Sequence, residues 1–170
     1  LNDISSNLGT LFEDLDALLQ RITESAVEIL NGEAGSLLLV DEATGDLVFR
    51  YAVGGAGQSL VGTRLPQGSG IVGMVVMTGR HLIVNDASHD PRWYGEMAVD
   101  GAPFQTDAIL AVPLNARGRV IGVLEVMNKQ GGAAFEDGDA NLLTAFASQA
   151  AIAIENANLF RLTDEALAER

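Results

Sequence analysis

The residues best equipped for chemistry cluster between Asn85 and Asp107, where Asp86, Asp90, Arg92, Trp93, Tyr94 and Phe104 stand close together. An arginine can hold a phosphate or carboxylate in bidentate fashion, and aromatic faces can stack on a planar ring. With two acids beside them, these residues are what a small-molecule pocket requires. A second reading has Trp93 and Phe104 plugging a small core while Arg92 pairs with Asp86 or Asp90. Asp90 followed by Pro91 suits an N-cap and first helical position. Irregular segments of this length inside a compact domain tend to carry function. Asp86, His89 and Asp90 are bunched too closely on one loop for a metal site, so none is expected. His81 and His89, the only histidines, read as solvated turn residues rather than haem ligands.

Two further positions stand out downstream. Glu125 lies between Val123 and Met127 on an otherwise apolar run, where a carboxylate needs a partner or water. It either faces a cavity or occupies an exposed edge. Lys129 is the only lysine of the chain; it ends that run, and Asp139 opens the helix that follows. The two charges can pair across the corner, and the acid suits the positive end of the helix. Catalysis has no visible machinery. There is no nucleophile elbow, no phosphate-loop lysine motif and no paired-histidine ligand set, and with no cysteine there is neither a thiol nucleophile nor a disulfide.

The elements that must position these residues follow from periodicity. Leu1, Ile4, Leu8, Leu11, Leu15, Leu18 and Ile22 recur at three and four, the spacing of a coiled-coil seam. Phe12, Leu19, Ala26 and Leu30 form a second stripe, so residues 1–31 read as one helix with two apolar stripes or a single wide one. Ser36 to Asp41 reads as a buried strand. Leu47, Phe49, Tyr51 and Val53 then alternate along an antiparallel partner. Ile71, Val72, Val75 and Val76 make a short helix stopped at Gly79, and Leu82 to Val84 a brief strand. Ala108 to Leu114 and Val120 to Asn128 form a second hairpin. Residues 139–170 read as a long helix with Leu142, Leu143, Phe146, Ala150, Ala153, Ile154 and Ala157 facing a core, while Ile152, Leu159, Leu162 and Ala166 drift to another face. This order predicts an α+β fold in one domain spanning 1–170.

Composition sets the remaining bounds. A chain of 170 residues with 48% hydrophobic content suffices for one full core. A net charge of −13 argues against nucleic acid as a partner, because such a surface repels phosphate. No apolar run is long enough for membrane insertion. The absence of cysteine and of a leader pattern points to the cytoplasm. The chain starts at Leu1 and ends at Arg170 within a helical pattern, which predicts a segment of a longer protein.

The order of elements, with two motifs, resembles the GAF domain family. The first motif is Gly68-Ser69-Gly70-Ile71-Val72-Gly73, then Thr78-Gly79, Val84-Asn85-Asp86 and Asp90-Pro91-Arg92. The second is Val112-Pro113-Leu114, Gly118, Val120 to Glu125, Asn128-Lys129, Phe135 and Asp139, followed by Phe146 to Ala157. The resemblance implies a central antiparallel sheet of five to six strands. The N- and C-terminal helices would pack on one face, and a loop with short helices would cover a ligand cavity on the other. It also implies a small-molecule sensor in a multidomain signalling protein, of the kind found in two-component signalling. Such a sensor would relay ligand state to an effector domain of the same longer chain through a homodimer of terminal helices. The alternative is a connector that only dimerises. Asn128, Lys129, Phe135 and Asp139 resemble the Asn-Lys-Phe-Asp-Glu signature of cyclic-nucleotide-binding members, but Ala140 replaces the final acid and counts against that ligand. Covalent bilin attachment and sulfoxide reduction both need cysteine, and neither is expected here. The pocket residues expected on this reading are Asp86, Asp90, Arg92, Trp93, Tyr94, Phe104 and Glu125. Asn128, Lys129, Phe135 and Asp139 serve the strand-to-helix corner.

Overall fold

The computed structural model describes residues 4–55, 57–92, 98–99, 102–103 and 105–168. Helix α1 spans Ile4–Ile29, and Asn31, with φ of 57°, turns the chain out of it. Strand β1 (Gly32–Val40) follows at once, four residues earlier than its apolar run suggests. Then come β2 (Leu47–Gly54), the two-residue β3 (Arg64–Leu65), α2 (Gly70–Thr78) and β4 (Leu82–Val84). Among its described residues, the segment expected to be irregular contains a 3-10 turn at Ala87–His89 and a small ribbon of β5 (Ala98–Val99) and β6 (Ala102–Pro103). The long hairpin β7 (Ile109–Ala116) and β8 (Arg119–Lys129) precedes α3 (Asp137–Ala168). Helix α2 stops where predicted because Gly79 adopts φ of 68° and its amide closes on the Val75 carbonyl at 2.9 Å.

The fold is α+β. Six antiparallel strands run in the order β3-β2-β1-β8-β7-β4, so β1 and β8 lie at the centre. One face carries Leu37, Leu110, Val112, Leu124 and Val126 beneath Leu19 and Ala26 of α1, Leu30 just after it, and Leu143, Ala147 and Ile154 of α3. The opposite face carries Leu38, Phe49, Ala111, Val123 and Met127 beneath Ile71, Val72 and Val75 of α2. With apolar material on both sides, β1 and β8 read as continuous hydrophobic runs rather than as alternation.

Three expectations need correction. Leu47, Phe49 and Tyr51 do not share a face. The register between β1 and β2 slips between Leu37 and Leu38, which pair with Tyr51 and Phe49, leaving Arg50 without an opposite residue. This bulge turns Phe49 towards α2 and Tyr51 towards α1. Leu142 is not a core residue but is 47% exposed, because the buried face of α3 is set by Ala140, Leu143 and Ala147. The two stripes of α1 merge: Leu15 and Ile22 join Leu19, Ala26 and Leu30 in one core, while Leu18 stays outside it. Of Leu8, Leu162 and Ala166 only the helical backbone is described, and Leu1 lies outside the described residues.

Gly54 ends β2 at φ of 73°, and a Cβ there would stand 2.2 Å from the Glu33 carbonyl oxygen. Left-handed strain and backbone overpacking add together. Gly54→Ala is expected to cost about 3 kcal/mol, read as a lowered urea midpoint with an unchanged slope. A cost under about 1 kcal/mol would show that the β1–β2 junction is not held as tightly as its geometry indicates.

Candidate functional site

The face under α2 contains two polar side chains where apolar ones are the rule. Glu125 is 6% exposed and Ser36 1%. They are direct partners across β1 and β8, so both point to the same side. Alternation along the strands fixes which side. Ala34 and Leu38 flank Ser36, Val123 and Met127 flank Glu125, and all four belong to the core under α2. The edge position considered for Glu125 is therefore ruled out, since β8 lies between β1 and β7. Among the described residues the Ser36 hydroxyl is buried without a hydrogen-bond partner, and no charged or hydrogen-bonding group acts on the Glu125 carboxylate. Burial alone pushes the Glu125 carboxyl up to about 7. Ser36 escaped the sequence reading because a small hydroxyl inside an apolar run resembles an ordinary strand residue; its register opposite Glu125 is the signal.

The strand-to-helix corner is a separate polar assembly. Lys129 Nζ lies 2.8 Å from Asp139 Oδ2 and 6.0 Å from the centre of the Phe135 ring. The same Asp139 oxygen accepts the Glu136 amide at 2.8 Å, the reciprocal half of a helix-start box. Burial would raise the Asp139 carboxyl, but hydrogen bonds from Lys129 and the Glu136 amide outweigh it and hold it below its ordinary value. Asn128, at φ of 55°, spends its whole side chain on the backbone and one neighbour. Its Oδ1 accepts the Asp107 and Ala108 amides at 2.8 and 3.0 Å, and its Nδ2 donates to the Gln105 carbonyl at 2.9 Å and to Glu33 at 3.2 Å. Asn85 clamps Phe135 in the same way, accepting its amide at 2.9 Å and donating to its carbonyl at 3.3 Å. A cavity of about 140 Å³ sits at this corner, lined by Glu33, Asn85, Asp107, Asn128 and Lys129 among others. Most of these groups are already joined to one another or to backbone.

The loop residues divide differently from the expected pocket. Arg92 forks onto Asp90, with Nε to Oδ1 at 2.9 Å and Nη2 to Oδ2 at 2.6 Å. The side-chain hydrogen bond from Arg92 lowers the Asp90 carboxyl to about 2. Asp86 is exposed and pairs with His89 at 2.8 Å; its hydrogen bond raises the His89 imidazole. Both of these pairs are local. Trp93, Tyr94 and Phe104 lie outside the described residues. No group of three or more metal-ligating side chains converges among the described residues.

Two pH-dependent outcomes follow. A carboxyl raised from 4.5 to about 7 in the fold leaves stability intact below pH 4.5, erodes it between these values and costs it fully above pH 7, by roughly 3 kcal/mol. Glu125→Gln is therefore expected to raise the melting midpoint at pH 8, with the gain vanishing at pH 4. An equal change at both pH values would contradict the buried charge. Asp139 has the opposite sign: its contribution is present above the ordinary carboxylate value and lost as pH falls through the depressed folded one. Lys129→Met is expected to destabilise by about 1 kcal/mol at pH 7 and by less in acid, as urea titrations at the two pH values would show.

The sequence pattern of the GAF domain matches residues 13–155. The probable 3′,5′-cyclic phosphodiesterase pde-5 of Caenorhabditis elegans is 28% identical over 172 residues, covering 94% of this chain and 23% of that protein. The cGMP-specific 3′,5′-cyclic phosphodiesterase of Drosophila sechellia is 26% identical over 178 residues, covering 96% of this chain and 14% of that protein. This chain thus spans less than a quarter of these curated relatives. The GAF domain from a phosphoenolpyruvate-protein phosphotransferase (ptsP) of Coxiella burnetii superposes with a TM-score of 0.76 at 20% identity, covering 92% of this chain and 95% of that one. With the six-stranded sheet, the flanking helices and a pattern match over most of its length, the chain belongs to the GAF domain family.

Proposed function

We propose that this domain is a non-catalytic small-molecule sensor, cytoplasmic and part of a longer signalling chain, which relays ligand state through its terminal helices to an effector domain. The observation that carries this reading is the division of β8. Glu125 faces the α2 side, while its neighbours Leu124 and Val126 lie in the core shared with α1 and α3. An event at the carboxylate thus acts on a strand whose other face seats both terminal helices. A ligand shifts the helices only through different affinities for two arrangements. Cyclic nucleotides fit less well than other ligands, since Ala140 stands in the last acidic position of their signature and is 2% exposed.

Homodimerisation through α1 and α3 is the second half of the proposal. Leu18 and Ile29 are 37% and 57% exposed, and eleven residues apart they share one helix face. On α3, Ile152 is 62% exposed. Apolar side chains exposed on two helices packed on the same side of a sheet suit a second copy of the same surface. Leu15 belongs to the domain core, so Leu18 and Ile152 are the cleaner positions to change.

Leu18→Glu combined with Ile152→Glu is expected to give a folded monomer by sedimentation equilibrium, against a dimeric parent. A monomeric parent would remove the dimer from the proposal. For sensing, thermal midpoints across a panel of cyclic nucleotides, amino acids and amines are expected to rise for at least one class. A flat panel, with the parent still dimeric, would favour the connector that only dimerises.

A further inference from the structure

The pairing of Ser36 with Glu125 extends across the sheet into a row of small residues. On the α2 side, Ala52 of β2 stands opposite Ser36, and Ala111 of β7 stands opposite Glu125. Ala52, Ser36, Glu125 and Ala111 are all buried, so small side chains flank the one carboxylate and the one hydroxyl of this row. Helix α2 packs over β7 and β8 on one flank. The 3-10 turn Gly57–Leu60 packs over β1 and β2 on the other.

The chemistry missing from this row is cationic. A buried carboxylate without a partner is costly, and an opposite charge or N–H donors relieve the cost. Among the described residues no basic side chain does so. Lys129 is held by Asp139, Arg92 by Asp90, Arg64 by Asp41 and Asp46, Arg117 by Glu155 and Arg119 by Glu42. Arg21, Arg50 and Arg80 are exposed. A divalent metal needs about six oxygen ligands, and a single carboxylate with a single hydroxyl falls short. An organic cation does not need them. Side chains directly opposite on adjacent strands have Cβ atoms about 5 Å apart, so one planar amidinium can donate to Glu125 with one nitrogen and to Ser36 Oγ with the other. The net charge of −13 favours the approach of a cation over that of an anion.

We propose that Ser36 and Glu125 form the floor of a binding site for a small organic cation, an amidinium, guanidinium or primary ammonium group. This rests on the sensor reading and names the class of ligand. The test uses the whole chain at pH 8 with benzamidine and n-butylammonium, each against a neutral isostere, benzamide and n-butanol. Calorimetry is expected to show the cations binding at least about tenfold tighter than their isosteres, the worth of a charge-assisted hydrogen bond. Glu125→Gln is expected to abolish that preference without lowering the melting midpoint. Ser36→Ala is expected to weaken benzamidine more than n-butylammonium, since only the planar group reaches both oxygens. Equal binding of cation and isostere, or an unchanged preference in Glu125→Gln, would overturn the proposal. If cyclic GMP binds parent and Glu125→Gln alike while the cations do not, the sensor reading stands and the cationic site falls. If none of these five compounds binds, the site falls, and the fate of the sensor reading rests on the wider panel.

Discussion

Everything in this domain depends on two central strands being buried on both faces. An antiparallel sheet with one solvated face can alternate polar and apolar residues, and a polar side chain then costs nothing. Strands β1 and β8 have no such outlet: α1 and α3 close one side, and α2 with the loops closes the other. Each side chain on them must therefore be apolar, small or satisfied. Glu125 is neither apolar nor small and has no partner group acting on it, and the small Ser36 carries a buried hydroxyl without a partner among the described residues. They stand at the centre of the sheet, rather than at a rim where water would serve them.

Satisfaction of polar groups is complete where the fold must hold a long connection. Asn128 and Asn85 each use both ends of an amide to replace backbone partners that the irregular segment lacks. Asn128 fixes the entry into β7, and Asn85 ties the exit from β4 to the approach to α3. The ion pair of Lys129 with Asp139 then caps the helix that leaves the same corner. The corner is rigid for a reason opposite to that which makes Glu125 conspicuous.

Much of this architecture was legible in the sequence because local and global signals agree. Gly79 after α2 and the acid at the start of α3 both name boundaries with a physical cause. The bulge at Arg50 was not legible, since a slipped register leaves the period-two spelling of β2 intact while turning Tyr51 over. Leu142 was misplaced because it adjoins Leu143, and two neighbouring leucines do not show which of them lies on the inward face. At the site, Glu125 stood out as a charge in an apolar run, but its central position came only from strand order. Lys129 and Asp139 were readable as a pair because both flank one corner. Arg92 and Asp90 were readable as partners and equally as pocket groups; the geometry joins them to each other.

The bulge in β2 has a mechanical consequence. By turning Tyr51 towards α1, it allows the tyrosine hydroxyl to donate to Asp16, thirty-five residues earlier in the chain. Burial raises the tyrosine, and the bond to Asp16 raises it further, so the proton stays on the phenol and the donor is permanent near neutrality. The contact pins the middle of α1 to the second strand of the sheet, which acts as a fulcrum. Rolling the helix about its own axis would pull this strut out of line, so the hydrogen bond fixes the rotational setting of α1 on the sheet.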